Sequence, residues 1–195
     1  MHTLHSLTGA LSSHRARLVL VVAVVFGLLA LASAGFAINV ATITPSWTGV
    51  TGSSGAPSCL TANATEVRFG TATFGAPCPG APASYQSGLG FAGGTGGTFS
   101  DGTPFLLGEL THFNQQVFAA STLTSATLNL ALTSTAPVIP VTPPITTLVT
   151  LNETANNLVT CPLGDTPPCA DEITVSPSVV SFTDSGKTYQ IEVLG

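Results

Sequence analysis

Leu123-Thr124-Ser125-Ala126-Thr127-Leu128-Asn129-Leu130-Ala131-Leu132-Thr133 is the stretch whose reading decides the fold. Leu128, Leu130 and Leu132 point one way, while Thr127, Asn129, Ala131 and Thr133 point the other. That period of two is the mark of a half-buried strand. Near the C-terminus Lys187–Leu194 repeats it, with Tyr189, Ile191 and Val193 opposed to Thr188, Gln190 and Glu192. Ile145, Thr147, Val149 and Leu151 make a third such face. Shorter strands are expected at Glu66–Gly70, Gly88–Ala92, Phe105–Leu107, Glu172–Val175 and Val179–Phe182.

Turn signals separate these runs: Gly93-Gly94-Thr95-Gly96-Gly97, Asp101-Gly102, Pro143-Pro144, Pro167-Pro168 and Asp184-Ser185-Gly186. From Thr42 onward there are 27 threonines, which suit pleated surfaces and disfavour helix. No stretch beyond residue 40 sustains a helical apolar period. The expected fold class is all-β, an antiparallel β-sandwich of jelly-roll-like or Ig-like topology, preceded by an apolar leader helix. The stretch from Ala72 to Gly97 reads mainly as surface loop.

The leader is the other legible unit. Arg15 and Arg17 precede Leu18–Ile38, 21 residues without a charge, and Ala32-Ser33-Ala34 offers small residues where a signal peptidase needs them. Residues 1–34 are therefore expected to be a signal peptide, with a transmembrane anchor retained to about residue 38 as the alternative. Either way the rest is delivered outside the cytoplasm, because the basic cluster lies before the apolar run. The protein is expected to be extracellular or at the cell surface, or held at the membrane by an uncleaved helix.

The whole chain has 195 residues, 4 Lys+Arg, 9 Asp+Glu and a net charge of −5, and only 7% of it is charged. Removing residues 1–34 would leave 161, with nine acids against Arg68 and Lys187, hence −7, and His112 as the sole imidazole. So few cations cannot track a phosphate backbone, which excludes nucleic acid as a partner class.

All four cysteines, Cys59, Cys78, Cys161 and Cys169, lie in the exported part. An even count in an oxidising compartment reads as disulfides, with three connectivities. Cys161 and Cys169 flank a Pro/Gly-rich stretch that favours a local staple, leaving Cys59 with Cys78. A zinc site is the competing idea, but there is no Cys-x-x-Cys pair.

Leu110-Thr111-His112-Phe113-Asn114 is the most distinctive cluster. His112 would serve as a metal ligand or general base if it had partners. Without them, Thr111 and Asn114 are expected to hold a turn between strands. Asp101, Glu109, Asn114, Glu153, Asn156, Asp165 and Asp171 could supply oxygens to a structural calcium, the one cofactor the composition leaves open. Trp47, Phe69, Phe74, Tyr85 and Phe91 would form either a sugar-stacking platform or core. Asn63-Ala64-Thr65 and Asn152-Glu153-Thr154 match the N-glycosylation pattern. No nucleophile-elbow, zincin, P-loop or dinucleotide fingerprint occurs, and the Gly93–Gly97 run lacks the Lys of a phosphate cradle.

An ordered set of pieces goes further. Trp47 is followed by Glu66-Val67-Arg68-Phe69-Gly70, Ser87-Gly88-Leu89-Gly90-Phe91 and Phe105-Leu106-Leu107-Gly108-Glu109-Leu110-Thr111-His112-Phe113-Asn114. Asn152-Glu153-Thr154-Ala155-Asn156, Cys161-Pro162, Cys169-Ala170-Asp171 and Tyr189 to Gly195 complete it. Over roughly residues 45–195 the chain resembles the choice-of-anchor K domain, or Thr-His-x-Asn family, of bacterial exported proteins. The resemblance implies an all-β surface domain, supports a Cys161–Cys169 bridge and transfers no activity. Thr111, His112, Asn114, Glu153, Thr154, Asn156 and Asp171 match its pattern and are the residues to follow.

Two departures stand out: Ala155 occupies a usual proline position, and the sequence reaches Leu194-Gly195 where further strand and a sorting signal would be expected. The functional expectation is a non-catalytic cell-surface or matrix domain. The alternative is a calcium- or glycan-binding adhesion module whose partner is a glycan or surface polymer; a secreted hydrolase ranks third.

Overall fold

The computed structural model describes residues 20–25, 37–100, 102–136, 138, 144–154, 159–161, 163–164, 166, 169–184 and 186–194. Its strands are β1 (Leu20–Val25), β2 (Ala37–Gly52), β3 (Thr61–Ala62), β4 (Glu66–Phe69), β5 (Ser87–Gly93), β6 (Gly97–Ser100) and β7 (Phe105–Phe113). They continue as β8 (Leu123–Ala136), β9 (Ile145–Asn152), β10 (Glu172–Val175), β11 (Ser178–Asp184) and β12 (Lys187–Val193). Among the described residues there is no helix.

Every ladder is antiparallel. One sheet runs β11-β12-β1-β7-β5-β4-β3, the other β10-β9-β8-β2-β6. Residues of both sheets share one core, so the alternation in sequence became burial. Leu128, Leu130 and Leu132 of β8, Ile145, Thr147, Val149 and Leu151 of β9, and Tyr189, Ile191 and Val193 of β12 are all buried.

β2 is the longest strand and was not evident from pattern. Ile38 and Val40 face the core, then Ile43, Pro45 and Trp47, because the ladder to β8 slips between Val40 and Thr42. One slipped residue erases the period-two signal. Pro45 is tolerated because β6 pairs only with Ala37–Val40, leaving β2 an edge at residue 45.

The expected leader helix is not what the described part of that segment forms. Leu20–Val25 is β1, lying between β7 and β12; residues 1–19 and 26–36 lie outside the described residues. A continuous apolar run does not by itself distinguish helix from buried strand, and a valine-rich one suits a sheet. No helix among the described residues is long and apolar enough to cross a membrane. The Ala72–Gly97 stretch is loop only as far as Gln86, since β5 follows.

Both disulfides form, Cys59–Cys78 and Cys161–Cys169, and none of the four cysteines is free. Such bridges persist in oxidising surroundings. The first ties the 70–86 loop to the start of β3. Within that loop Gln86 is fully buried: its Oε1 accepts from Thr61 Oγ1 (2.8 Å) and Ala83 N (3.1 Å), and its Nε2 donates to Cys59 O (2.9 Å) and Gly70 O (3.0 Å).

Candidate functional site

The site begins with a bulge. Along β7 the buried side chains are Phe105 and Leu107, then Leu110 and His112. On the β1 side Val21 faces Glu109 but Ala23 faces Leu106, so Leu107 and Gly108 oppose a single β1 residue. This extra residue turns His112 inward, where strict alternation from Phe105 would have turned it out. Gly108 permits it, for a Cβ there would stand 2.3 Å from both Ala92 O and the Phe91 ring.

His112 therefore sits inside a strand, and so does Thr111, so the expectation that Thr111 and Asn114 hold a turn between strands is corrected for Thr111. Thr111 falls on the opposite face of β7, and Asn114 lies just beyond the strand's end.

The partners come from the other sheet. Glu153 and Thr154 follow β9, and Asp171 precedes β10, so continuing the Asn152–Glu172 pairing sets Glu153 opposite Asp171. Their carboxylates reach across the sandwiched core to His112. The imidazole Nε2 lies 3.3 Å from Glu153 Oε1, and Nδ1 lies 3.9 Å from Asp171 Oδ2.

Ser87 Oγ donates to the same Glu153 Oε1 at 2.6 Å from the first residue of β5, which is fully buried. Gly88 holds Ser87 in place: its φ is +149°, and a Cβ would stand 2.1 Å from Val67 O. Only glycine allows β5 and β4 to sit that close.

Thr154 completes the cluster. Its backbone N–H donates to Asp171 Oδ1 at 2.7 Å, and its hydroxyl lies 3.0–3.1 Å from Cys169 O, Ala170 O and Asp171 Oδ1. The Cys161–Cys169 staple thus anchors the chain that presents Asp171. Burial raises the Asp171 carboxyl above its ordinary value of 3.8, and the neighbouring Glu153 charge raises it further. The Thr154 backbone N–H, His112 and the Thr154 hydroxyl pull the other way.

Of the residues singled out in the sequence, His112, Glu153, Thr154 and Asp171 come together; Thr111 lies on the opposite face of β7, Asn114 just beyond the strand's end, and Asn156 outside the described residues. The same is true of Asp101 and Asp165. Among the described residues His112, Glu153 and Asp171 form a group whose ligand-type atoms lie within 4.8 Å of one another, and Glu109 is not part of it. Ser87 was missed as a partner. Its only sequence signal is its place at the head of Ser87-Gly88-Leu89-Gly90-Phe91.

Chemically the cluster is an inter-sheet clasp. The imidazole addresses one carboxylate with each ring nitrogen, and the Ser87 proton goes to Glu153. A hydrolytic serine would instead offer its proton to the imidazole. The apolar void between Phe91, Leu110, Leu128, Leu130, Val149 and Val193 measures about 10 Å³, room for one water.

Two other expectations resolve structurally. Trp47, Phe69 and Phe91 are core, while Phe74 and Tyr85 are exposed, so the five aromatics form no common platform. Asn63 caps the β3–β4 turn, its Oδ1 accepting from Thr65 N and Glu66 N at 2.8 Å each.

No known protein family matches the chain, and no curated protein is similar to it.

Proposed function

We propose that the chain is an exported, non-catalytic β-sandwich domain of the bacterial cell surface or extracellular matrix, of the choice-of-anchor K kind. One observation carries this reading: the polar residues best suited to chemistry are consumed in joining the two sheets. Ser87, His112 and Asp171 are at most 7% exposed in their side chains or as whole residues, and their polar atoms address one another. The leader and the two disulfides favour a site outside the cytoplasm, reached by cleavage after Ala34 or by retention of the N-terminal segment as an anchor. A broad hydrolase panel tests the absence of catalysis; turnover abolished by His112→Ala would overturn it.

The His112–Glu153–Asp171 geometry favours one second reading, a divalent-cation site that tightens a surface-binding domain. One imidazole and two carboxylates suit a transition ion better than calcium, which wants six to eight oxygens. Thermal melting of the full chain with and without chelator separates the two. A chelator-sensitive melt supports the cation, and an unchanged melt supports the clasp.

A further inference from the structure

β1 holds an interior place in its sheet, yet it comes from the segment that the sequence marks for removal. Leu20, Val21, Ala23 and Val24 face Leu110, Glu109, Leu106 and Phe105 of β7, while Val24 and Val25 face Val193 and Glu192 of β12. In the order β11-β12-β1-β7, the β11–β12 hairpin joins the rest of its sheet only through β1. Cleavage after Ala34 would take β1 away and open two ladder edges at once. The gap would be one strand wide, roughly 9–10 Å between β7 and β12. Phe105, Leu107, Leu110, Tyr189, Ile191 and Val193, each at most 5% exposed, flank it. Such paired open edges are templates for an added strand.

We infer that the seam between β7 and β12 is a strand-acceptor site. In the processed protein it takes an extended segment of another polypeptide, antiparallel to both edges, in place of β1. The inference rests on the export reading for the removal of β1. The chemistry of the donor follows from the register. Positions 20 and 24 of the occupant lie opposite Leu110, Phe105 and Val193, all core residues, and so call for apolar side chains.

Positions 21 and 25 lie opposite Glu109 and Glu192, which occupy the solvent-facing phase of β7 and β12 and are partly exposed. Cross-strand pairs of opposite charge are favourable there and like charges unfavourable. The exported part carries a net −7, which also draws a basic partner. The donor is therefore a short β-strand, apolar at alternate positions, with a Lys or Arg at two outward positions four residues apart.

The test uses the full chain with a specific protease site inserted between residues 26 and 36, cut after folding. Labelled synthetic peptides spanning residues 18–27 are then titrated in three forms: native, Val21→Lys/Val25→Lys, and Val21→Glu/Val25→Glu. The expected result is exchange of β1 for peptide. It should restore hydrogen-exchange protection at Phe105–Leu110 and Glu192–Val193, with the Lys form binding at least tenfold tighter than the Glu form and the difference shrinking in high salt. In the uncut chain, Val21→Lys/Val25→Lys should raise the melting temperature above that of Val21→Glu/Val25→Glu.

Fast exchange at those amides in the intact chain, peptide affinities blind to charge, or a cut chain that dimerises and ignores peptide would each overturn the inference. The N-terminal residue of the product recovered from cells is read separately. An uncleaved N-terminus would refute processing and leave the peptide result standing.

Discussion

Replacing Glu153 by alanine removes the keystone of the clasp. Glu153 Oε1 accepts from Ser87 at 2.6 Å and lies 3.3 Å from His112 Nε2, with its own side chain 14% exposed. A hydrogen bond to a charged group contributes about 1.5–3 kcal/mol, and the Ser87 hydroxyl would be left buried with no acceptor. The longer His112 contact adds less. Against these losses, removing the Glu153 charge relieves Asp171, whose carboxyl it pushes upward.

The balance is a loss of about 2–4 kcal/mol. For a domain of this size that corresponds to a melting temperature lowered by roughly 5–12 °C. Thermal and urea melts at neutral pH measure it. Glu153→Ala in a Ser87→Ala background should cost less than in the wild type, with a coupling of about 1–2 kcal/mol. A melt within about 1 °C of wild type, or strictly additive costs, would refute the clasp.

Three further outcomes are expected. Asp171 has a raised folded-state pKa, so the folded protein holds that proton more tightly than the unfolded chain, and its contribution to stability falls as pH rises from about 3.8 through the folded value. Urea melts between pH 3 and 7 should therefore show wild type losing stability relative to Asp171→Asn as pH rises; a constant difference would contradict the assignment. Replacing Cys161 and Cys169 by serine opens a nine-residue loop, a loss of about 2.6 kcal/mol by the chain-entropy relation, and should loosen the Asp171 carboxylate. Denaturant midpoints check the loss, and non-reducing peptide mapping checks the pairing. Gln86→Leu strips a buried Thr61 hydroxyl and a buried Gly70 carbonyl of their partner, at about 1–3 kcal/mol each. Chemical denaturation should show at least about 2 kcal/mol lost, and a smaller change would mean water replaces the amide.

Where the pattern of residues was periodic, the structure followed it. β8, β9 and β12 sit where Leu128–Leu132, Ile145–Leu151 and Tyr189–Val193 alternate, because one face buried and one solvated leaves its mark on composition. β2 was illegible for the opposite reason: its ladder slip and Pro45 break the alternation. The inward direction of His112 was hidden the same way, since a bulge at Gly108 changes which face it points to. The apolar leader was legible as apolar and not as a strand, because a run without polar residues carries no period.

The sequence by itself determined an all-β chain with two disulfides and an apolar N-terminal segment. These follow from local periodicity, composition and cysteine count, which need no knowledge of distant contacts. Only the tertiary structure decided that Ser87, His112, Glu153, Thr154 and Asp171 form one cluster, drawn from β5, β7 and the β9–β10 connection. It alone put β1 between β7 and β12. Both are juxtapositions across sheets or between strands far apart in the chain, set by register and a single bulge, and neither leaves a local signal in the order of residues.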